Sequence, residues 1–232
     1  MTGRYAEAIA MQKEVINRSP SWVYAHLELA GDYLLQWGSQ QSPTGQTLEP
    51  AEAAIQQALA LNDSLPWNHI VVGWISIYQQ HYDQALAEME RAVALMPTEA
   101  RTHAALAVVL STMGRTEDAL QAAAQALRLP SFVADDHLGD VGTAYAVAEH
   151  YEEARSALQR YLSRFPNILP AHLTLAVVYS ELGQDVEARA EVAEVLRLNP
   201  NFSLEVHRQR MPIKDPEVLE RHIAALRKAG LK

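Results

Sequence analysis

Apolar residues recur along this chain at helical spacing, in short runs punctuated by glycine and proline. Trp67, Ile70, Trp74 and Tyr78, for example, fall at intervals of three and four residues, which puts them on one helix face. The pattern predicts helices over about 4–18, 21–36, 49–62, 65–79, 82–95, 98–112, 116–129, 134–148, 151–164, 167–181 and 185–198. After Pro200 the rhythm changes, and a short helix over 202–210 and a last one over 216–229 are expected, with Gly230 as its stop.

The helices come in a repeating phrase. Pro20, Pro97, Pro166 and Pro200 close similar segments, and an alanine stands twelve residues before each: Ala8, Ala85, Ala154 and Ala188. Pro166 and Pro200 lie 34 residues apart, while Pro20 and Pro97 lie 77 apart, two such periods and an insertion of nine. Pro130 arrives one residue early, and residues 131–135 restore the register. A fixed period of this length, each unit reading helix, tight turn, helix, is the mark of a stacked repeat.

The physical reasons agree. Antiparallel helices approach closely only where side chains are small, the role assigned to Ala8, Ala85, Ala119, Ala154 and Ala188. Gly3, Gly114 and Gly183 stand at the turns, where a left-handed backbone costs glycine least. Gln80 and Glu149 replace that glycine, which predicts a less strained turn in those two copies. The closing prolines stop each second helix.

The phrases GRYAEAIAMQKEVINRSP, HYDQALAEMERAVALMP, GRTEDALQAAAQALRLP, HYEEARSALQRYLSRFP and GQDVEARAEVAEVLRLNP resemble the second half of the tetratricopeptide repeat over about residues 3–200. The resemblance implies an all-α, right-handed superhelical solenoid of about five and a half repeats. Residues 1–200 form the array, and 201–232 form a capping segment that keeps the last apolar face from water. The first repeat lacks its first helix, which reads as a truncation or a fragment, and an insertion loop is expected over about 37–49. The tail, FSLEVHRQRMPIKDPEVLERHIAALRKAGL, resembles the end of bacterial repeat arrays attached to class III nucleotide cyclase or winged-helix regulators. That implies a bacterial signalling context in which this chain is a sensing or docking module.

Composition narrows the function. No cysteine is present among 232 residues, so disulfide and thiolate chemistry are excluded and a cytoplasmic address is favoured. The formal charge of −9 argues against a phosphate-neutralising nucleic-acid binder. Residues from Leu196 onward nevertheless carry eight Lys/Arg against four Asp/Glu, and such a basic tail on an acidic body invites intramolecular docking. Residues 1–17 read as an amphipathic helix rather than a signal peptide, and no run is apolar enough for a membrane span.

Candidate chemistry is sparse. His26, His69, His103 and His172 occupy one place in four first helices. Equivalent positions in neighbouring repeats lie on the order of 10–20 Å apart, whereas a metal–nitrogen bond spans about 2 Å. The histidines are therefore expected to pack in the core, where the family commonly places a large residue. Asp135, Asp136, His137 and Asp140 form a dense polar cluster, expected to cap a helix start rather than hold a cation. No nucleophile elbow, phosphate-binding loop or HExxH spacing occurs, so no catalytic residue, cofactor or metal is assigned.

In this family the first helix of each pair lines the inner groove. The partner-binding residues expected there are Tyr24, Leu27, Trp67, Ile70, Trp74, Tyr78, Arg101, Asp136 and Asp140. With Arg101 the lone base beside acidic Glu28, Asp136 and Asp140, the groove lacks the Lys/Asn/Arg clamp that some relatives use for a carboxylate terminus. An apolar partner segment is expected, with a Lys or Arg near Asp136 and Asp140. Helix 4–18, without its partner helix, leaves a face on which a homodimer could form. The leading expectation is a non-catalytic protein- or peptide-binding scaffold. The alternatives are a regulatory module of a larger signalling protein and a self-assembly module.

Overall fold

The computed structural model describes residues 4–41 and 48–232, which form thirteen α-helices and no strand. They are α1 (Arg4–Arg18), α2 (Val23–Gly38), α3 (Glu49–Leu61), α4 (Pro66–Tyr78), α5 (Tyr82–Leu95), α6 (Ala100–Thr112) and α7 (Thr116–Arg128). Then come α8 (Leu138–Val147), α9 (Tyr151–Arg164), α10 (Leu169–Glu181), α11 (Asp185–Leu198), α12 (Leu204–Arg210) and α13 (Pro216–Lys228). The architecture is the all-α repeat solenoid that the period predicts. Gly3 and residues 42–47 of the expected insertion lie outside the described residues; Trp37 and Gly38 belong to α2 and Glu49 to α3. None of the described helices is long and apolar enough to cross a membrane.

The chain divides into two compact units, Met1–Leu95 and Met96–Lys232. In the first, α1 packs on α2, and α2 pairs with α3 and α4 with α5. The core gathers Leu29, Leu34, Ile55 and Ala58 with Ile9 of α1. In the second, α6 pairs with α7, α8 with α9 and α10 with α11. Here Leu158, Leu175, Val178 and Val195 share a core with Ile223, Leu226 and Leu231 of the tail.

The small-residue rule holds at atomic contact. Ala85, Ala119, Ala154 and Ala188 are fully buried between paired helices, whereas Ala8 is half-buried. On α8 the approach is closer still. A Cβ on Gly142 would lie 2.5 Å from Leu158 Cγ and 3.3 Å from the Ala154 carbonyl, so only glycine fits.

The turns correct one expectation. Gln80 and Glu149 adopt φ of 61° and 64°, in the same left-handed region as Gly114 and Gly183 at 80° and 73°. All four turns close identically, with the N–H of the next residue bonded back to a carbonyl five positions earlier: His81 to Ser76, Arg115 to Leu110, His150 to Tyr145 and Gln184 to Tyr179. Losing the glycine did not relax the turn. The repeat geometry fixes the backbone, and the side-chain-bearing residues accept a strain on the order of 1 kcal/mol.

A second correction concerns residues 134–137. α8 begins at Leu138, four residues later than the apolar pattern predicts, because Asp135 turns to φ 66°. Asp135 does not cap that helix. Its carboxylate instead pairs with Arg160 at 2.5 Å and lies 3.9 Å from Arg164, both on α9.

Candidate partner-binding site

The nine expected residues divide between the units. In the first unit, Leu27 and Ile70 sit inside the core, 7% and 2% exposed. The more accessible residues, exposed on α2 except for partly buried Gly31 and only partly buried on α4, run one position out of phase with them. They are Tyr24, Glu28, Gly31 and Leu35 on α2, and Trp67, Val71, Trp74 and Tyr78 on α4. The 4–3–4 spacing on both helices makes each set a continuous strip along one face. Tyr24 is 44% and Leu35 39% exposed, and a side chain added at Gly31 would meet open space. At the far end Tyr78 bridges the helices, 5.0 Å from the ring of Trp37 and 6.4 Å from that of Trp74. Trp37 is an aromatic that the sequence reading left out; its place beside the inserted segment hid its register.

The strip carries carboxylates that form no ion pair among the described residues. Glu28 is exposed, and Asp32, one turn on, is half-buried. Burial pushes the Asp32 carboxyl up to about 6, and Glu28 adds to the shift.

In the second unit the corresponding face is covered by the chain's own tail. Thr143 and Val147 of α8 and Thr174 and Val177 of α10 line one cleft with Met211 and Ile213 of the link before α13. Lys214 donates its backbone N–H to the Thr112 carbonyl at the end of α6 (2.9 Å). Ser180 Oγ donates to the Ala225 carbonyl (3.0 Å), and α13 packs on α10. The opposed charges meet as Arg221–Glu149 at 2.6 Å and Lys228–Asp185 at 2.9 Å.

Arg101, Asp136 and Asp140 lie together at the other end of this face. Arg101 is 3.9 Å from Asp136, which also accepts a 2.5 Å bond from Ser131 Oγ. Burial alone would raise the Asp136 carboxyl, but neighbouring His137 and Ser131 and the Arg101 charge hold it below the ordinary range. Asp140 is pushed up to about 6 by burial, a shift that Arg101 offsets in part and Asp136 increases. The cluster thus already contains its own base.

The four equivalent histidines serve the joints between repeats. Each donates Nε2–H to a carbonyl six residues earlier: His26 to Pro20 (2.8 Å), His69 to Asp63 (2.7 Å), His103 to Pro97 (2.8 Å) and His172 to Pro166 (3.1 Å). Two also meet a carboxylate nineteen residues on. Nδ1 of His69 lies 2.6 Å from Glu88, and Nδ1 of His172 lies 2.5 Å from Glu191. Nineteen residues after His103 stands Ala122, which has no carboxylate to offer. With Nε2–H already committed, Nδ1 of His172 donates to Glu191 only in the imidazolium form. Burial disfavours that charge, but the bonds to Glu191 and Pro166 outweigh it and raise the pKa above 6.5. The stability this provides is fully present below the imidazole's ordinary value and is lost as pH rises through the raised one. His172→Gln is therefore expected to cost about 1–3 kcal/mol at pH 6 and clearly less at pH 9, measured by urea unfolding at both.

Profiles described as tetratricopeptide repeat match residues 73–134 and 148–208, between them just over half of the chain. No curated protein matches it in sequence. Among solved structures it resembles PilW, a widely conserved type IV pilus biogenesis factor, at 18% identity over 88% of this chain and 92% of that one, with a TM-score of 0.55. A chain of the APC/C hetero-tetramer Cut9–Hcn1 gives a TM-score of 0.60 at 18% identity over 95% of this chain, which spans 40% of that one. PilF of Pseudomonas aeruginosa gives 0.52 at 16% identity over 92% and 90%. At such identities the likeness is one of fold.

Proposed function

We propose that this chain, which belongs to the tetratricopeptide-repeat family, is a non-catalytic scaffold that holds an apolar segment of another protein along α2 and α4. One observation carries the reading. The tail lines the first-helix face of the second unit, while that of the first unit presents partly buried Trp67, Trp74 and Tyr78, whose inner sides pack on the core, beside exposed Tyr24 and Leu35. Large aromatic surfaces contribute most to association when a partner buries them, because they carry much apolar area and few rotatable bonds. Arg101, Asp136 and Asp140 play a lesser part in this reading, since their charges already meet one another.

Immobilised protein exposed to a lysate of its source tests this. Whatever the chain retains is expected to be lost from Trp67→Ala/Trp74→Ala, provided circular dichroism shows the variant still helical. Retention that ignores both tryptophans would exclude the α2–α4 strip as the docking surface.

A further inference from the structure

We propose that the segment docking on α2 and α4 is basic as well as apolar, with a Lys or Arg beside its hydrophobic anchors that sits over Glu28 and Asp32; this rests on the docking face proposed above. Three observations converge on it.

The first is charge. Residues 1–95 hold four Lys/Arg against ten Asp/Glu. Of those bases, Lys13 lies over the Tyr33 ring, Arg18 pairs with Glu14 and Arg91 lies 3.8 Å from Asp63. Glu28 and Asp32, by contrast, stand one helical turn apart and form no ion pair among the described residues, and the Glu28 charge disfavours the ionised form of Asp32 until a cation arrives. The fold gains nothing from such a pair.

The second is the aromatic setting. A Lys or Arg entering between Tyr24 on α2 and Trp67 or Trp74 on α4 would also meet ring faces, which attract cations. The third comes from the other unit. There the equivalent face is covered by a segment reading Arg210-Met211-Pro212-Ile213-Lys214, whose apolar Met211 and Ile213 line one cleft with α8 and α10 and are flanked in sequence by two bases. The chain thus supplies, within itself, an example of what a first-helix face of these repeats accommodates. The strip on α2 and α4 offers larger rings, and a carboxylate pair without an ion-pair partner among the described residues, to a segment of the same general kind.

The test is an array of immobilised nonapeptides with two fixed apolar anchors and a scanned position between and beside them, probed with the full chain and three variants. Peptides bearing Lys or Arg are expected to bind about 5- to 10-fold better than neutral ones, an advantage that 0.5 M salt removes. Glu28→Gln/Asp32→Asn is expected to cut that advantage below about twofold while keeping apolar binding. The variant should fold normally, since it removes the repulsion between exposed Glu28 and half-buried Asp32. If peptides bind without a basic preference yet are lost on Trp67→Ala/Trp74→Ala, the docking face stands and the charge proposal falls. If no bound peptide depends on the tryptophans, the docking face itself is wrong and the proposal falls with it. Met11→Ala, on exposed α1, serves as the surface control and should leave every spot unchanged.

Discussion

Leu226→Ala should destabilise the second unit by about 3–5 kcal/mol, a large share of the roughly 5–15 kcal/mol that holds a typical domain together. Leu226 lies on α13 with no exposed surface, in one core with Leu175, Val178 and Ile223. Removing three carbons there forfeits their transfer energy and leaves a cavity lined by α10, a rigid helix that cannot collapse into it. A comparable substitution at Leu127, 49% exposed on α7, is expected to change stability by no more than about 0.5 kcal/mol. Urea unfolding of the two variants separates the possibilities. A loss near 1 kcal/mol or less at Leu226 would mean that the tail merely rests on the repeats rather than completing their core.

Trp74→Ala is the second large effect, on association rather than folding. Trp74 is half-buried, stacked at 29° on Tyr78, and flanked by Val71 and Trp67 along one face of α4. A central aromatic that a partner fully covers typically contributes about 2 kcal/mol or more, which is roughly a 30-fold loss of affinity on truncation. Because part of the indole already faces water, the cost to folding should be smaller than the cost to binding. Titration calorimetry with a captured partner, alongside thermal unfolding, resolves the two. An affinity that falls only as far as stability does would point to indirect unfolding instead of direct contact.

Much of the fold was legible because the repeat imposes the same physics several times over. Four helices, α1, α5, α9 and α11, run over the residues that the apolar period and the closing prolines predict. Starts were harder. α8 begins at Leu138 because Asp135 adopts a left-handed backbone, which no hydrophobic pattern reports. Exposure along the candidate site was legible only in part, because the phase of the two helices was blurred. Tyr24, Trp67, Trp74 and Tyr78 were placed on the accessible face, but Leu27 and Ile70 point into the core, one residue off the strip marked by Glu28 and Val71. On a helix a single position is 100° of rotation, enough to exchange groove for core when both faces are apolar. What the sequence concealed most completely was the destination of the tail. Its basic charge suggested docking, but only the Lys214–Thr112 bond and the cleft beneath Met211 and Ile213 reveal the face it covers.

The central claim is that a partner occupies α2 and α4, and amide hydrogen exchange on the complex with a captured partner tests it most directly. Slowed exchange concentrated in Val23–Gly38 and Pro66–Tyr78, with α7, α9 and α11 unchanged, is the predicted result. Protection confined to the second unit, or to α1 and α3 with α4 unaffected, would contradict it and move the binding surface elsewhere on the chain.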